Sequence, residues 1–279
     1  MKGITLFAGL FTMLLMLGFV SAAYLQITGP ITGTLYNNGS IYLGKVGPGE
    51  SFYLLASATT ANSSGKVINI GWNRFAAISL PAGWSAQASP LYENPMKLKI
   101  TTAPNTRNGT YSMTLRAVNV GNYSGIGNLT FTALVNVTTN VFTPSVTPTK
   151  FNVGTGQPYN LQININNTGI SDDPFVINAK GLAGWNVTDP VIALHSTTSS
   201  FVYPVFVNVP GVYNYNITVN SGTSTLISKS FPITMTAQAS LLNDYGAVGQ
   251  GVVLSPIIYE PTYAVMLLVN YILSHFNLA

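Results

Sequence analysis

Apolar and polar residues alternate along much of the middle of the chain. Between residues 111 and 117 the odd positions are apolar and the even ones are Ser, Thr or Arg, and residues 129–137 and 213–220 repeat this pattern. A period of two predicts strands with one buried and one wet face. Asn38-Gly39 predicts a hairpin turn between the apolar pairs that flank it. Since no segment between residues 24 and 240 has a helical period, the middle of the chain is predicted to be all-β.

Three short sequence landmarks occur twice, in the same order, at separations of 101 to 107 residues. The pairs are Val46-Gly47-Pro48-Gly49 with Val153-Gly154-Thr155-Gly156, Leu80-Pro81-Ala82-Gly83-Trp84 with Gly181-Leu182-Ala183-Gly184-Trp185, and Asn108-Gly109-Thr110-Tyr111 with Pro210-Gly211-Val212-Tyr213. A unit of roughly 100 residues with short strands and polar turns is typical of an immunoglobulin-like (Ig-like) sandwich. The repeat therefore predicts two tandem Ig-like β-sandwiches.

The repeat also sets the predicted domain boundaries. The first Ig-like domain, with an N-terminal extension, is predicted over residues 24–142, and the second over residues 143–240. A signal helix over residues 1–23 precedes them, and a hydrophobic C-terminal anchor helix over residues 241–279 follows. The Thr- and Pro-rich segment 139–148 predicts a semi-rigid linker, because proline restricts the backbone.

The landmarks resemble those of the NPCBM-associated (alpha-galactosidase-associated) Ig-like domain and of the related CARDB-type adhesion modules. The resemblance covers about residues 40–140 and 148–238. It implies an Ig-like fold and structural roles for the aromatic residues of the landmarks, which are Trp84, Tyr111, Trp185 and Tyr213. Members of this family often accompany a glycosidase or protease, and neither fits within this chain. The second copy also departs from the pattern, with Leu182 in place of the proline.

The N-terminus has the pattern of a secretory signal peptide. Lys2 precedes an uncharged run from Ile4 to Val20, and Ser21-Ala22-Ala23 supplies the small residues of a cleavage site after Ala22 or Ala23. An uncleaved signal anchor is the alternative, because the apolar run approaches the roughly 20 residues of a spanning helix. Lys2-Gly3 before an apolar helix also resembles the cleavage site of archaeal pilin precursors, in which the helix is retained.

The C-terminus predicts a hydrophobic helix that begins at Glu260 or Pro261 and reaches Phe276. Its length of about 24 Å at 1.5 Å per residue is short of a hydrocarbon core of about 30 Å. Local thinning of the bilayer accommodates such a mismatch, so a membrane anchor is the leading interpretation. Alternatives are an assembly or interfacial helix and a helix buried in the second domain. Asn270, Ser274 and Asn277 form a polar stripe suited to helix–helix contact.

The composition excludes several classes of protein. Only 6% of the residues are charged and the net charge is +4, so the clustered Lys and Arg of a nucleic-acid-binding protein are missing. Apolar residues make up 47% of the chain, which excludes a disordered protein of low hydrophobicity. The absence of Cys excludes disulfides, thiolate metal sites and a Cys nucleophile.

Catalytic chemistry has few candidate residues. Among seven acidic residues the only adjacent pair is Asp172-Asp173, which is predicted to form a turn before Pro174, with a calcium site at that turn as the alternative. His195, among Ser and Thr, is predicted to be a solvated loop residue, and His275 is predicted to lie at a helix end. No nucleophile, metalloprotease or phosphate-loop motif occurs. We therefore expect no enzyme activity, no cofactor and no metal.

Glycan attachment is the chemistry with most candidate sites. Fifty-three Ser and Thr among 279 residues, with 27 Asn, give about five Asn-x-Ser/Thr motifs by chance, and nine occur. They are at Asn38, Asn62, Asn108, Asn122, Asn128, Asn136, Asn166, Asn186 and Asn216. Asn136 and Asn216 fall on predicted wet faces, where an exported protein is glycosylated in hosts that have the machinery.

These patterns favour a non-catalytic, exported, membrane-anchored protein at the extracellular face of the cell membrane. It would act as a stalk, an adhesion module or a surface-layer component, with the membrane, copies of itself, other envelope proteins or a polysaccharide as partners and no nucleic acid. The first domain has seven basic and two acidic residues and the second has three of each. Any anionic ligand is therefore expected on the first domain.

Two other functions remain open. The first is a subunit of an extracellular filament, either pilin-like or polymerised by donation of a strand from Tyr24–Tyr36 to a neighbour. The second is a carbohydrate-binding module that serves a separate enzyme. Trp72 is the one tryptophan outside the repeated landmarks and is the candidate ligand contact, with packing in the core as its alternative.

Overall fold

The computed structural model describes residues 24–57, 60–61, 67–68, 71–121, 127–185 and 187–239. It divides the chain into two compact units between Thr138 and Thr139, here called domain 1 and domain 2. The part of the chain that the structure describes contains strands and turns, and no helix in it is long and apolar enough to cross a membrane. The predicted signal segment 1–23 and anchor segment 241–279 lie outside the described residues.

Domain 1 is built from two sheets and a short additional hairpin. Its strands are β1 (Leu25–Gly29), β2 (Gly33–Leu35), β3 (Ser40–Val46), β4 (Ser51–Ser57), β5 (Thr60–Ala61), β6 (Val67–Ile68), β7 (Arg74–Ser79), β8 (Ser85–Gln87), β9 (Met96–Thr101), β10 (Gly109–Val118) and β11 (Leu129–Val137). One sheet has the order β2-β1-β4-β9-β8 and the other β3-β11-β10-β7, while β5 and β6 pair with each other. All pairs are antiparallel except that of β3 with β11.

Domain 2 repeats this plan with a different distribution of strands. Its strands are β12 (Phe142–Thr147), β13 (Lys150–Gly154), β14 (Tyr159–Asn167), β15 (Asp173–Lys180), β16 (Thr188–Ala193), β17 (Thr197–Val205), β18 (Gly211–Ser221) and β19 (Ser228–Gln238). The sheets have the orders β12-β14-β17 and β13-β19-β18-β15-β16. Here the parallel pair is β13 with β19.

The strand orders identify both domains as Ig-like sandwiches. In domain 1, β1-β4-β9-β8 and β11-β10-β7 reproduce the two sheets of a seven-strand Ig-like domain, which have the orders A-B-E-D and G-F-C. In domain 2, β12-β14-β17 corresponds to A-B-E, and β16 extends the second sheet beyond strand C. The predicted all-β, Ig-like fold is therefore confirmed for the described residues.

Alternation of buried and exposed side chains positions each core. Along β11 every odd residue from Leu129 to Val137 is buried, and along β14 the buried positions include Leu161, Ile163 and Ile165. Burial of such side chains contributes about 1.5–3 kcal/mol each. The core of domain 2 consists of residues between Val141 and Ala237, so that domain buries its own hydrophobic residues.

The first two repeated landmarks form equivalent turns, and the third begins β10 in domain 1 and β18 in domain 2. Gly49 and Gly156 have φ angles of 83° and 72°, which glycine adopts without steric cost. Their N–H groups donate to the carbonyls of Ala103 and Val207 at 3.2 and 2.8 Å. The internal repeat read from the sequence therefore corresponds to repeated backbone geometry.

The predicted hairpin at Asn38-Gly39 is wrong. A turn is present, with Asn38 at a φ of 63° and the Gly39 N–H donating to Tyr36 O at 3.0 Å. However, it joins β2 and β3, which belong to different sheets. The sequence pattern indicates a turn between two strands, whereas the choice of sheet depends on long-range pairing of β3 with β11.

Two boundary predictions are also corrected. Residues 139–148 are not a linker, because β12 pairs along its whole length with β14 and buries Phe142, Pro144 and Val146. The predicted N-terminal extension of domain 1 is an integral part of the sandwich, because β1 pairs with both β2 and β4 and buries Leu25 and Ile27. Proline and Thr are compatible with an edge strand, which explains why composition alone suggested a linker.

Candidate interaction surfaces

The landmark tyrosines form the same structural device in both domains. The Tyr111 hydroxyl donates to the Arg107 carbonyl at 3.0 Å, and the Tyr213 hydroxyl donates to the Val209 carbonyl at 2.7 Å. A tyrosine whose hydroxyl returns to the backbone a few residues upstream is the tyrosine corner of Ig-like sandwiches. Both side chains therefore hold the loop that precedes β10 or β18, consistent with the structural role that the family resemblance implies.

The landmark tryptophans have equivalent turns and different partners. The backbone N–H groups of Trp84 and Trp185 donate to the backbone carbonyls of Pro81 and Leu182 at 3.1 and 3.2 Å. The Trp84 indole N–H donates to Thr106 Oγ1 at 3.2 Å, and its ring centroid lies 5.5 Å from that of Tyr111.

In domain 2 the Trp185 ring instead lies edge-on to Phe206, at a centroid distance of 4.7 Å. Its buried Nε1 lies close to the Tyr203 hydroxyl but makes no well-aligned hydrogen bond among the described residues. The loop from Val207 to Gly211 is two residues shorter than its counterpart from Ala103 to Gly109. This shortening removes the turn that carries Thr106 in domain 1.

Trp72 is not a ligand contact, because its side chain is only 1% exposed. Its indole N–H donates to the Gly127 carbonyl at 2.9 Å. A sugar would need a free ring face on which to stack, and none is available. The alternative interpretation, packing in the core of domain 1, describes the observed position directly before β7.

An exposed basic surface lies on the outer face of the first sheet of domain 1. We call Tyr53, Leu55, Gln87, Lys97 and Lys99 the basic sheet face. Tyr53 and Gln87 each lie directly opposite Lys99, and Leu55 lies opposite Lys97. Tyr53 is 53% exposed. An exposed aromatic residue that shares a sheet face with two lysines can stack on a sugar, and the lysines can pair with its anionic substituents.

The basic sheet face holds only some of the charged residues of domain 1. Glu93 lies nearby, and its carboxylate accepts the backbone N–H of Lys97 at 3.1 Å. Arg74 and Arg116 lie on strands of the opposite sheet, and the Arg116 Nε–H donates to Thr130 Oγ1 at 3.2 Å. The basic residues in the described part of domain 1 therefore do not form one patch, and the basic sheet face holds two of them.

Six of the nine glycosylation candidates lie in the described residues. Asn136 on β11 is half-buried, and the other five are exposed: Asn38, Asn108, Asn128, Asn166 and Asn216. Asn166 and Asn216 point outward from β14 and β18. Asn62, Asn122 and Asn186 lie outside the described residues. Exposure meets the steric requirement for a glycan, and occupancy stays a prediction.

A surface cavity of about 280 Å³ lies in domain 2 beside the tryptophan turn. Its lining is Asn178, Ala179, Lys180, Gly181, Leu182, Trp185, Val187 and Thr188. The Asn178 amide oxygen accepts a hydrogen bond from the Thr218 hydroxyl across the β15–β18 pair. The cavity therefore combines an aromatic residue with an amide that already has a partner in the sheet.

Asp172 and His195 form a contact that the sequence did not indicate. Asp172 Oδ1 lies 2.6 Å from His195 Nδ1 and also accepts the His195 backbone N–H at 2.8 Å. Partial burial raises the pKa of Asp172, but the hydrogen bonds and the charge of His195 outweigh it and lower the pKa overall. The separation of 23 positions along the chain explains why the pair could not be read from spacing.

Asp173 differs from its neighbour because its side chain begins β15 and points inward. It is 1% exposed, and Oδ1 accepts the Thr223 hydroxyl at 2.7 Å. Burial raises the pKa of Asp173, and the hydrogen bonds from Ser221 and Thr223 only partly offset this. The turn predicted at Asp172-Asp173 is wrong, because Asp173 and Pro174 begin β15 and only Asp172 precedes that strand. The pKa values of the two carboxyls move in opposite directions.

The wet faces of domain 2 are linked by neutral hydrogen bonds between amide and hydroxyl side chains. Cross-strand pairs join Ser200 to Asn164 at 2.5 Å, Ser228 to Asn220 at 2.6 Å and Thr234 to Asn214 at 3.0 Å. Each pair connects neighbouring strands on the solvent side, where such contacts stabilise a sheet by about 0.2–1 kcal/mol each. The surface is thus polar without being charged.

Comparisons with solved structures return Ig-type and surface proteins at low similarity. A chimeric titin Z1Z2 functionalized with a KLER exogenous peptide from decorin has 15% identity and a TM-score of 0.34, covering 79% of this chain and 100% of that chain. Domains 1–6 of the surface layer protein SbsC have 15% identity and a TM-score of 0.30, covering 67% of this chain and 23% of that one. For a beta-glucosidase from Listeria innocua the identity is 11% and the TM-score 0.26, with 35% and 16% covered.

No protein-family model and no curated protein sequence matches the chain. The resemblance to the NPCBM-associated and CARDB-type modules therefore stays a prediction. With TM-scores this low, the solved structures add no argument about function. The Ig-like assignment rests on the strand orders and tyrosine corners of the two domains.

Proposed function

We propose that the protein is a non-catalytic, exported cell-envelope protein that is anchored in the membrane by its C-terminal hydrophobic segment. Its two Ig-like domains project from the extracellular face as a stalk, an adhesion module or a surface-layer component. The observation that carries the proposal is that the residues repeated in the two domains have structural roles. The shared residues are turn glycines, tyrosine corners and packed tryptophans, which maintain a sandwich and bring no reactive groups together.

The surface of the domains also supports a location outside the cell. Their outer faces are rich in Asn, Ser and Thr, and five exposed asparagines stand in glycosylation motifs. Glycans solubilise a surface that has few charges. The sequence patterns of residues 1–23 and 241–279 support export and anchoring.

One of the two filament mechanisms, polymerisation by strand donation, is not supported. Donation of a strand from Tyr24–Tyr36 is not supported, because these residues already contribute β1 and β2 to the sheet of their own domain. A pilin-like function would depend on residues 1–23, and the mature N-terminus distinguishes it. A chain that starts near Tyr24 contradicts it, and a chain that starts at Ile4 supports it.

Membrane fractionation tests the anchor. Mature full-length protein should remain with membranes through high-salt and carbonate washes, and truncation after Ala239 should release a soluble, folded fragment, because the core of domain 2 ends at Ala237. Release of the full-length protein by salt would refute the anchor. A truncated fragment that does not fold would show that the C-terminal segment belongs to the core of domain 2.

The basic sheet face favours a second candidate function, binding of an anionic polysaccharide. A double variant Lys97→Gln/Lys99→Gln should weaken binding to such a polymer at least about tenfold at low salt, because both lysines lie on the same sheet face as Tyr53. The matched control is Lys150→Gln/Lys229→Gln, which removes the same charge from exposed positions of domain 2. Equal losses in the two variants would show that only net charge matters.

A further inference from the structure

One edge strand of domain 2 is open along its whole length. β17 pairs through all nine of its residues with β14, and no strand pairs with its other edge among the described residues. Thr198, Ser200 and Val202 are exposed on its outer face, and Val202 is 54% exposed. Such an edge presents unpaired backbone donors and acceptors on which another strand can add.

The corresponding edge of domain 1 is covered. There β8 pairs with β9 from Ser85 opposite Thr101 to Gln87 opposite Lys99. Beyond β8, the backbone N–H of Lys97 is bound by the Glu93 carboxylate at 3.1 Å. An exposed lysine on an edge strand also discourages strand addition. The edge of β9 is therefore covered by the three residues of β8 and capped by Glu93 beyond them.

The other edge strands of domain 2 have a charge or a proline at their start or in their middle, whereas β17 has no charge and its one proline, Pro204, is next to its last residue. β12 contains Pro144, β13 begins at Lys150, and β16 contains Asp189 and Pro190. Proline lacks the donor and charge disfavours pairing, and both are common protections of natural edges. The first seven residues of β17, from Thr197 to Tyr203, contain no charge, glycine or proline, and Pro204 follows at the end of the strand. Among the described edges of this domain, β17 is the one suited to accept a strand.

We propose that the open edge of β17 pairs antiparallel with the same edge of a second copy of this chain, forming a two-fold symmetric dimer with a continuous six-stranded sheet. The sheet would consist of β12-β14-β17 from each copy. Antiparallel self-pairing satisfies two-fold symmetry, because the same strand serves both partners. The inference goes beyond the proposed function, since it requires neither export nor an anchor.

The lack of charge on β17 and the absence of net charge on the described part of domain 2 favour a second copy of the chain as the strand that pairs with this edge. Like charges directly opposite each other destabilise a strand pair. Because β17 is uncharged, two copies of it can pair without this repulsion. The described part of domain 2 has three basic and three acidic residues and therefore no net charge, whereas domain 1 has an excess of basic residues. A strongly charged partner would find no complement on this edge.

Concentration-dependent sedimentation of the full-length protein in a mild detergent tests the proposal. Val202→Lys places a charge on the open edge and should raise the dimer dissociation constant at least about tenfold. The matched control is Gln162→Lys, because Gln162 is exposed on the same face and lies directly opposite Val202 on the central strand β14. The control should change the dissociation constant less than about twofold.

Cross-linking gives a second readout that does not depend on the lysine variant folding. The chain has no cysteine, so Val202→Cys introduces a single thiol. A short bismaleimide should join two copies at this position and not at Gln162→Cys, whose thiols would be about three strand spacings, or about 14 Å, apart.

Three results would overturn the proposal. One is a wild-type protein that stays monomeric at about 1 mM. The second is an equal response of the Val202→Lys and Gln162→Lys variants, which would place self-association elsewhere, for example in the hydrophobic ends. The third is cross-linking that is equally efficient at both cysteine positions.

Discussion

Domains 1 and 2 share their landmark turns but send the next strand to opposite sheets. After the Ala-Gly-Trp turn, β8 of domain 1 pairs with β9, whereas β16 of domain 2 pairs with β15. The two strands differ in what they bury. All three residues of β8 are exposed, while β16 buries Val191 and Ala193. The turn therefore fixes a corner of the sandwich, and the side chains that follow determine which sheet receives the strand.

The cores of the two domains also differ in how well their polar atoms are paired. In domain 1, Trp84 donates its indole N–H to Thr106, and Met113 occupies the second position after the corner tyrosine. In domain 2 the corresponding residue is Tyr215, whose buried hydroxyl has no partner among the described residues. Burial raises the pKa of this phenol, and the nearby Tyr203 adds to the effect. Domain 2 thus buries polar groups without well-aligned partners among the described residues, whereas domain 1 pairs the Trp84 indole N–H and has the apolar Met113.

Replacement of Trp72 should produce the largest difference in stability between the two domains. Trp72→Ala should destabilise domain 1 by about 3–5 kcal/mol, because it removes a fully buried indole and its hydrogen bond to Gly127. Calorimetry should show a lower transition for domain 1 and an unchanged transition for domain 2, whose core residues lie between Val141 and Ala237. A single transition that shifts as a whole would contradict this independence.

Equivalent substitutions of the landmark tryptophans should have unequal effects. Trp84→Phe breaks the bond to Thr106, whereas Trp185→Phe removes an N–H that makes no well-aligned hydrogen bond among the described residues. The first should therefore cost about 1–3 kcal/mol more than the second, measured as the change in the free energy of unfolding of each domain. Thr106→Val is a control, because it should reduce the difference by removing the acceptor in domain 1.

The tyrosine corners should behave alike, in contrast to the tryptophans. Tyr111→Phe and Tyr213→Phe should each destabilise their domain by about 0.5–1.5 kcal/mol, because each loses one hydrogen bond to a carbonyl. Tyr215→Phe should have the opposite sign and stabilise domain 2, since the hydroxyl that it removes is buried without a partner. Denaturant unfolding measures all three, and a destabilised Tyr215→Phe would show that its hydroxyl is paired.

The smallest effect should come from the Asp172–His195 pair, which is half-exposed and worth at most about 1 kcal/mol. The pKa of Asp172 is lowered on folding, so its contribution is present above its ordinary value of 3.8 and is lost as the pH falls through the folded value. Asp172→Asn should therefore reduce stability at neutral pH, with the difference disappearing in acid.

The neighbouring carboxyl gives the opposite pH dependence and serves as the control. The pKa of Asp173 is raised on folding, so its ionised form penalises the folded state above that raised value and not below 3.8. Asp173→Asn should therefore increase stability at neutral pH, and the gain should vanish as the pH falls below about 4. Parallel pH profiles of the two variants would contradict the opposite placement of the two side chains.

Local patterns were sufficient to predict strands, turns and the internal repeat. Alternation identifies β10, β11 and β18 because one face of each is buried, and the landmark glycines identify turns because of their positive φ angles. Sheet membership was not predictable, as the turn at Asn38-Gly39 shows, because it depends on pairing between distant strands.

The candidate surfaces were less predictable than the fold. Trp72 drew attention as an isolated tryptophan, yet its burial follows from contacts with residue 127, which is 55 positions away. The basic sheet face joins Tyr53 to Lys99 across a strand pair, and no sequence motif links these residues. The open edge of β17 became visible only when the partner of β16 was known.

The parallel pairing of an early strand with the last strand in each domain has a mechanical consequence. β3 lies parallel to β11 and β13 lies parallel to β19, so tension applied through the chain pulls the two strands of each pair in opposite directions along their length. Under such shear the ladder hydrogen bonds resist together instead of opening one after another from an end. Each domain is therefore built to bear load along the direction in which the chain runs through it.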